Sequence, residues 1–270
     1  MLAVERQKLI LRIITDRGQI TTAELSKQLS VSPATIRNDL NKLSKEKLIN
    51  KTHGGATALA LSEIKPSSVV TPQNSYSFKT RESKNAAEKE AISKEALSMI
   101  RNDQCILLDG SSTALTLARK LSRFEKLLVI TNGIYTMLTL KDMPNINVVM
   151  IGGIVTKNSG SVEGLLGAEI LDHIHIDIGF VSSRGFSLEE GCTDFNIYEV
   201  ELKRAMLSKC SKKVVLLDSS KFEHISTSSF MAAKDIDMLI TDENIPDQTL
   251  KKYVSYGLNI KLCPLEEKNK

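Results

Sequence analysis

Four short apolar runs constrain this chain most. They read "ILLDGSST" (106–113), "VITNG" (129–133), "VMIGG" (149–153) and "VLLDSSK" (215–221). Each stops abruptly at small or polar residues, and helix-like periodicity separates them. Continuous apolar runs of this length suit strands buried on both faces, and strands alternating with helices give a largely parallel sheet covered by helices. The spacing predicts a helix over 82–100, with Ile92, Ala96, Met99 and Ile100 aligned, then strand 105–108, helix 113–122, strand 127–130, helix 134–140 and strand 147–151. Further strands lie in "IDIGFVS", "KVVLLD" and "DMLIT", with helices near 197–209 and 247–256.

Ligands of such sheets bind outside the carboxyl ends of the strands. The residues there form a candidate site: Asp109, Gly110, Ser111, Ser112 and Thr113, then Thr131 and Asn132, Gly152 and Gly153, and Lys221. Glycine admits close backbone approach, hydroxyls donate, and lysine adds a full charge, which together suit a phosphate. Each motif alone reads equally well as a turn; four at one sheet edge favour a ligand. Neither G-x-x-x-x-G-K-[ST] nor G-x-G-x-x-G occurs, which argues against a nucleotide.

The first 57 residues are different. They hold ten of the 36 Lys/Arg but five of the 32 Asp/Glu, a net of +5 against −1 for the rest. That asymmetry suits a small basic head that meets a polyanion. Leu9, Ile10, Ile13 and Ile14 follow helical spacing, and Gly18 can close that helix. Thr21 and Glu24 form a capping box for a short second helix. After "SVS", Ser32 can cap a third helix with Pro33 at its first position, and Ile36, Leu40 and Leu43 line one face. Two helices joined by so short a turn make a helix-turn-helix. The opposite face carries Ala34, Thr35, Arg37, Asn38, Asn41 and Lys42, groups suited to base edges in a major groove. Leu48, Ile49, Lys51 and Thr52 then read as a wing strand and Gly54–Gly55 as its turn, placing Lys51 and His53 near phosphates. A small helical bundle with a polar outer face is the alternative, and His53 can equally be a plain turn residue.

The stretch "ELSKQLSVSPATIRNDLNKLSKEKLINKTHGGA" resembles the DeoR family of bacterial transcriptional regulators, with Asn38 replacing a usual arginine and Lys47 a usual glycine. The resemblance runs on through Arg81 and Lys84, Glu88 and Lys89, "LDGSST", "TNG", "IGG" and "DSSK", covering about residues 3–242. It implies a sensor domain related to ribose-5-phosphate isomerase and coenzyme A transferases, with a phosphorylated sugar as effector. The expected organisation is a winged helix-turn-helix domain (1–57), a Ser/Pro-containing linker (58–78) and a larger α/β sensor domain (79–270).

The expected function is a DNA-binding regulator, in this family usually a repressor, modulated at a double-stranded operator by a phosphorylated sugar. The rival is a sugar-phosphate isomerase or acyl-transfer enzyme with a fused DNA-binding head, Asp109 being the candidate base. A helix-turn-helix used only for protein contacts is a third reading. One recognition helix reads few base pairs, so a dimer or tetramer is expected. The charged N-terminus lacks a secretory core, the longest apolar run is too short for a bilayer, and four scattered cysteines suit reduced thiols, all pointing to a cytoplasmic protein. No cofactor is expected. His173, His175 and Asp177 alternate in a way that can suit zinc, but a polar strand start is the preferred reading. Arg184 and Glu199 are read as pocket residues or a surface ion pair, and Glu163 and Asp194 as solvated loop acids.

Overall fold

A computed structural model describes residues 6–7, 9–11, 13–14, 18–45, 49–52, 54–57, 78–156 and 159–265. The chain divides into two compact units, Met1–Thr71 and Pro72–Lys270. Of the expected linker, all but Phe78 lies outside the described residues.

In the first unit the described residues between 6 and 14 are helical, and Gly18, at φ +76°, donates its N–H to the Ile14 carbonyl. Strand β1 (Gln19–Thr21), helices Thr22–Leu29 and Pro33–Lys45, and strands β2 (Asn50–Lys51) and β3 (Gly55–Thr57) follow. The capping box forms as its residues predict: Thr21 Oγ1 accepts from Glu24 N at 3.2 Å, and Glu24 Oε2 accepts from Thr21 N at 2.8 Å. Ile10, Ile14, Leu25, Ile36, Leu40, Leu43 and Ile49 share one core, whereas Leu9 stays exposed. The wing is a three-stranded sheet, in the order β1-β3-β2, all antiparallel. Gln19–Thr21 has one apolar residue and no readable period, so only its partner reveals it as a strand. Gly55 is required there, because a Cβ would lie 2.1 Å from the Ile20 carbonyl oxygen.

The second unit is built on a seven-stranded parallel sheet. Its strands are β4 (Cys105–Leu108), β5 (Leu127–Thr131), β6 (Ile146–Met150), β9 (Ile176–Val181), β12 (Cys210–Leu216), β14 (Met238–Asp242) and β15 (Ile260–Cys263). They lie in the order β15-β14-β12-β9-β4-β5-β6. Leu107, Val181 and Val215 belong to one core and Ile106, Leu108, Phe180, Val214 and Leu216 to another, so successive residues feed opposite faces. That two-sided burial explains the unbroken apolar runs. Two smaller antiparallel pieces are added: the pair β7 (Ile154–Val155) with β8 (Val162–Glu163), and a sheet of β10 (Gly185–Ser187), β11 (Gly191–Asp194) and β13 (Ser228–Met231). These and β15 escape periodicity because they are short and partly polar.

The helix expected over 82–100 is two helices, Phe78–Ser83 and Ala86–Ser98. Asn85 breaks them at φ +53°, and its amide donates to Asp218 Oδ1 at 2.8 Å and Ser220 Oγ at 3.1 Å. Asparagine tolerates this left-handed geometry better than most residues. The break also frees the Arg81 and Lys84 carbonyls, both of which accept from the Lys89 ammonium.

Candidate nucleic-acid interface and ligand crevice

The helix Pro33–Lys45 presents Ala34, Arg37, Asn38, Asn41 and Lys42 to solvent, with Thr35 half-buried. Ser32 Oγ accepts from Thr35 N at 3.2 Å, so Ser32 serves as the cap that starts the helix. Lys51 of β2 donates to Asn41 Oδ1 at 2.6 Å, joining wing and helix into one polar surface. His53 lies outside the described residues. Asp39 turns the other way. It is buried and accepts from Arg6 Nε at 2.6 Å and Gln7 Nε2 at 2.9 Å, clamping the first helix onto the third. An acid within a basic, solvent-facing sequence gave no sign of that inward role.

In the second unit the strand order reverses between β4 and β9: β5 and β6 extend one way from β4, and β12, β14 and β15 extend the other way from β9. A crevice forms at such a switch point, outside the carboxyl ends of the two diverging strands. The loop Asp109–Thr113 leaves β4 there, and Ser182, Ser183 and Arg184 leave β9.

The acids that end the strands are latches. Asp109 Oδ1 accepts from Ser111 N at 3.1 Å and Oδ2 from Ser182 N at 3.0 Å, tying the two crevice loops together. Asp218 accepts from Ser220 N at 3.2 Å, and Asp242 accepts from Ser219 N at 2.7 Å and Asn244 N at 3.0 Å. Carboxylates accepting backbone N–H groups are strong hydrogen-bond partners, and buried they hold loops at fixed geometry.

Beneath the crevice sits Lys203, from helix Ile197–Leu207, with a side chain only 2% exposed. Its ammonium is 2.6 Å from Asp194 Oδ2 and 3.0 Å from Asp109 Oδ2, and donates to the Ser182 carbonyl at 2.9 Å. Glu199 Oε1 lies 3.8 Å away, and the Phe230 ring centroid 4.8 Å. Burial opposes the ammonium, but the carboxylates of Asp194, Asp109 and Glu199 outweigh it and raise its pKa. Asp194 and Glu163 are therefore not solvated loop acids. Asp194 neutralises Lys203, and Glu163 accepts from Asn196 Nδ2 at 2.6 Å and Thr156 Oγ1 at 2.9 Å. Sequence reasoning overlooked Lys203; the one signal was a lysine inside the apolar frame Val200, Leu202 and Met206.

A cationic rim stands beside the loop Ser111–Thr113. Burial lowers the Lys89 pKa to about 8; Asp218 opposes that shift, while Lys221 and Arg81 add to it by repulsion. Lys221 reaches Asp218 Oδ2 only at 4.0 Å, and Arg81 Nε is buried with no hydrogen-bond partner. Ser112 Oγ donates to the Arg81 carbonyl at 3.3 Å. Ser111 Oγ already accepts from Ala114 N at 3.0 Å, which makes it a helix cap.

The remaining candidates are placed by packing. A Cβ on Gly110 would lie 2.4 Å from Ser161 Cβ, and one on Gly153, at φ +155°, 2.4 Å from the Glu163 carbonyl oxygen. Thr131 Oγ1 accepts from Gly133 N at 2.9 Å. Asn132 donates to the Val162 carbonyl at 3.0 Å and leaves Oδ1 buried without a partner. Gly152 packs against Gly167 and is exposed. His175 shares a 2.8 Å hydrogen bond with Ser211, and Asp177 accepts from Cys105 N. Among the described residues no group of three or more His, Cys, Asp or Glu side chains is placed to hold a metal ion.

Residues 6–60 match the DeoR-like helix-turn-helix domain, and residues 84–243 match the DeoR C terminal sensor domain. The chain belongs to the DeoR family. It is 47% identical to the HTH-type transcriptional regulator GolR of Listeria innocua, over 97% of this chain and 100% of that protein. It is 26% identical to the glycerol-3-phosphate regulon repressor of Escherichia coli, again over 97% and 100%. Among solved structures, ribose 5-phosphate isomerase A of Methanocaldococcus jannaschii overlaps 50% of this chain and 53% of its own, at a TM-score of 0.37 and 18% identity. This DeoR-family protein is thus a DNA-binding transcriptional regulator and not an enzyme.

Proposed function

We propose that this regulator represses genes of sugar metabolism and is released from its operator by a phosphorylated sugar held at the β4/β9 crevice. The observation that carries the reading is the cationic rim: Arg81 and Lys221 both repel the Lys89 ammonium, Asp218 and Glu88 offset that only in part, and Arg81 Nε is buried without a partner. A phosphate relieves that repulsion and satisfies donors left open, while Thr113 and the loop amides line its other side. Several relatives carry names in keeping with this, among them the putative aga operon transcriptional repressor of Escherichia coli O157:H7 and the L-fucose operon activator of Haemophilus influenzae. The latter is an activator, so the sign is part of the proposal. Asp109, saturated by two amides and Lys203, suits a latch and not a base.

The protein acts in the cytoplasm as a homo-oligomer bound to half-sites spaced by whole turns, on the order of 10 bp. No helix of the described residues is long and apolar enough to cross a membrane. Leu165, Leu166, Ile170, Ile197 and Tyr198 are exposed near the bond from Gly164 N to the Tyr198 carbonyl, an apolar surface of the kind that subunits cover.

The test is operator affinity with and without each member of a panel of phosphorylated sugars. The effector should weaken binding about 5- to 150-fold, its unphosphorylated form should do little, and Lys221→Ala should bind operator normally yet respond weakly. Equal responses in wild type and Lys221→Ala would remove the crevice from the signalling route.

A further inference from the structure

Glu199, by way of Lys203 and Asp109, and Arg81, whose carbonyl accepts from Ser112 Oγ, both stand at the loop Asp109–Thr113, and each is left incomplete. The Glu199 side chain is 19% exposed and 3.8 Å from Lys203, too far for a hydrogen bond, and no other described residue donates to it. Arg81 Nε is buried without a partner. The two charges are near enough to act on one another, yet they do not pair. Opposite charges left apart in a partly buried site are costly unless something between them satisfies both. Such a ligand turns an acceptor toward the guanidinium and a donor toward the carboxylate.

We propose that Glu199 is the specificity residue of the effector site, accepting a hydrogen bond from a free hydroxyl of a phosphate ester whose phosphate lies on the Arg81 side. This rests on the phosphate reading of the crevice and adds its polarity: cations at one end, a hydroxyl-reading carboxylate at the other. Inorganic phosphate occupies only the first end. Asp109 is already taken by Lys203 and two backbone amides, and Asp194 is engaged by Lys203 at Oδ2 with Arg184 Nε 3.9 Å from its Oδ1, so Glu199 is the acid with the most open acceptors. Glu199 stands one helical turn before Lys203 and borrows its field without its hydrogen bond.

The proton on Glu199 gives a second handle. Burial pushes its pKa up to about 7; Lys203 on its own helix and Arg81 from Phe78–Ser83 oppose that rise, and Asp194 from β11 and Asp109 after β4 add to it. The ionised carboxylate is the better acceptor, so hydroxyl reading strengthens from pH 6 to pH 8.

The experiment uses the full chain and calorimetric titration with inorganic phosphate, with the tightest-binding member of a pentose and hexose phosphate panel, and with that sugar's deoxy analogues. Glu199→Gln should bind inorganic phosphate as wild type does but lose about 10- to 150-fold for the sugar phosphate, the range expected for one hydrogen bond to a charged group. One deoxy analogue should show the same loss in wild type and no further loss in Glu199→Gln. Wild type should gain sugar-phosphate affinity between pH 6 and pH 8 beyond its gain for inorganic phosphate, and Glu199→Gln should lack that excess. Glu199→Asp guards against a folding defect and should restore part of the selectivity. A Glu199→Gln variant that keeps full sugar-phosphate affinity, or that loses both ligands equally, overturns the assignment. A wild type that binds neither ligand overturns the phosphate reading itself.

Discussion

Replacing Lys203 with methionine tests the electrostatic floor of the crevice. Methionine keeps much of the length and apolar stem, so lost volume contributes little. What goes is the ammonium 2.6 Å from Asp194 and 3.0 Å from Asp109, both buried. Removing one partner of a buried ion pair costs about 3–5 kcal/mol, because the other charge is stranded. For a unit of this size about 2–4 °C accompanies each kcal/mol, so the sensor transition should fall by about 6–20 °C. The raised pKa of Lys203 fixes the pH signature. Its folded value exceeds its unfolded one, so in wild type its contribution is fully present below the unfolded pKa, near 10.4, and is lost only as pH rises through the higher folded value. Between pH 5 and 8 that contribution is constant. In the variant Glu199, whose pKa is raised by burial and held down by Lys203, loses that counterweight and takes up a proton more readily, so the variant should be less destabilised at pH 5 than at pH 8. Urea melts followed by circular dichroism at both pH values measure this. A deficit under about 1 kcal/mol that does not change with pH would show that Asp109 and Asp194 do not depend on Lys203 for their charge balance.

Arg37→Ala should relax sequence preference by about 1–3 kcal/mol if it reads a base edge, whereas Lys51→Ala should weaken operator and scrambled DNA alike and flatten the salt slope; titrations at several salt levels separate the two. Gly55→Ala should lower the melting temperature of the head and with it DNA affinity, since the added carbon would meet the Ile20 carbonyl oxygen at 2.1 Å; an unchanged melt would refute the close approach of β3 to β1. Asp39→Ala should destabilise the head by about 1–3 kcal/mol by stranding Arg6 and Gln7, with operator affinity falling in step with the folded fraction. Five base pairs inserted between half-sites should greatly weaken binding by turning one site to the opposite face of the duplex, as gel-shift titration would show.

Local chemistry alone determined the head helices, their caps and the parallel sheet. Thr21 with Glu24 and Ser32 with Thr35 act across three residues, and two-sided burial writes itself as unbroken apolar runs at 105–108 and 127–131. The strand ends were legible for the same reason, since a run must stop where the chain turns. What those ends do was decided in three dimensions. The order β15-β14-β12-β9-β4-β5-β6 sets Ser182 beside Asp109 although 73 residues separate them, and helix Ile197–Leu207 then brings Lys203 beneath both. Asp109 looks like a ligand group in one dimension, and in the fold it accepts from backbone amides, as Asp218 and Asp242 do at the ends of their own strands. Gln19–Thr21 and Asp39 follow the same rule: a three-residue strand and an inward acid have no signature of their own, and only the partner across the fold gives them one.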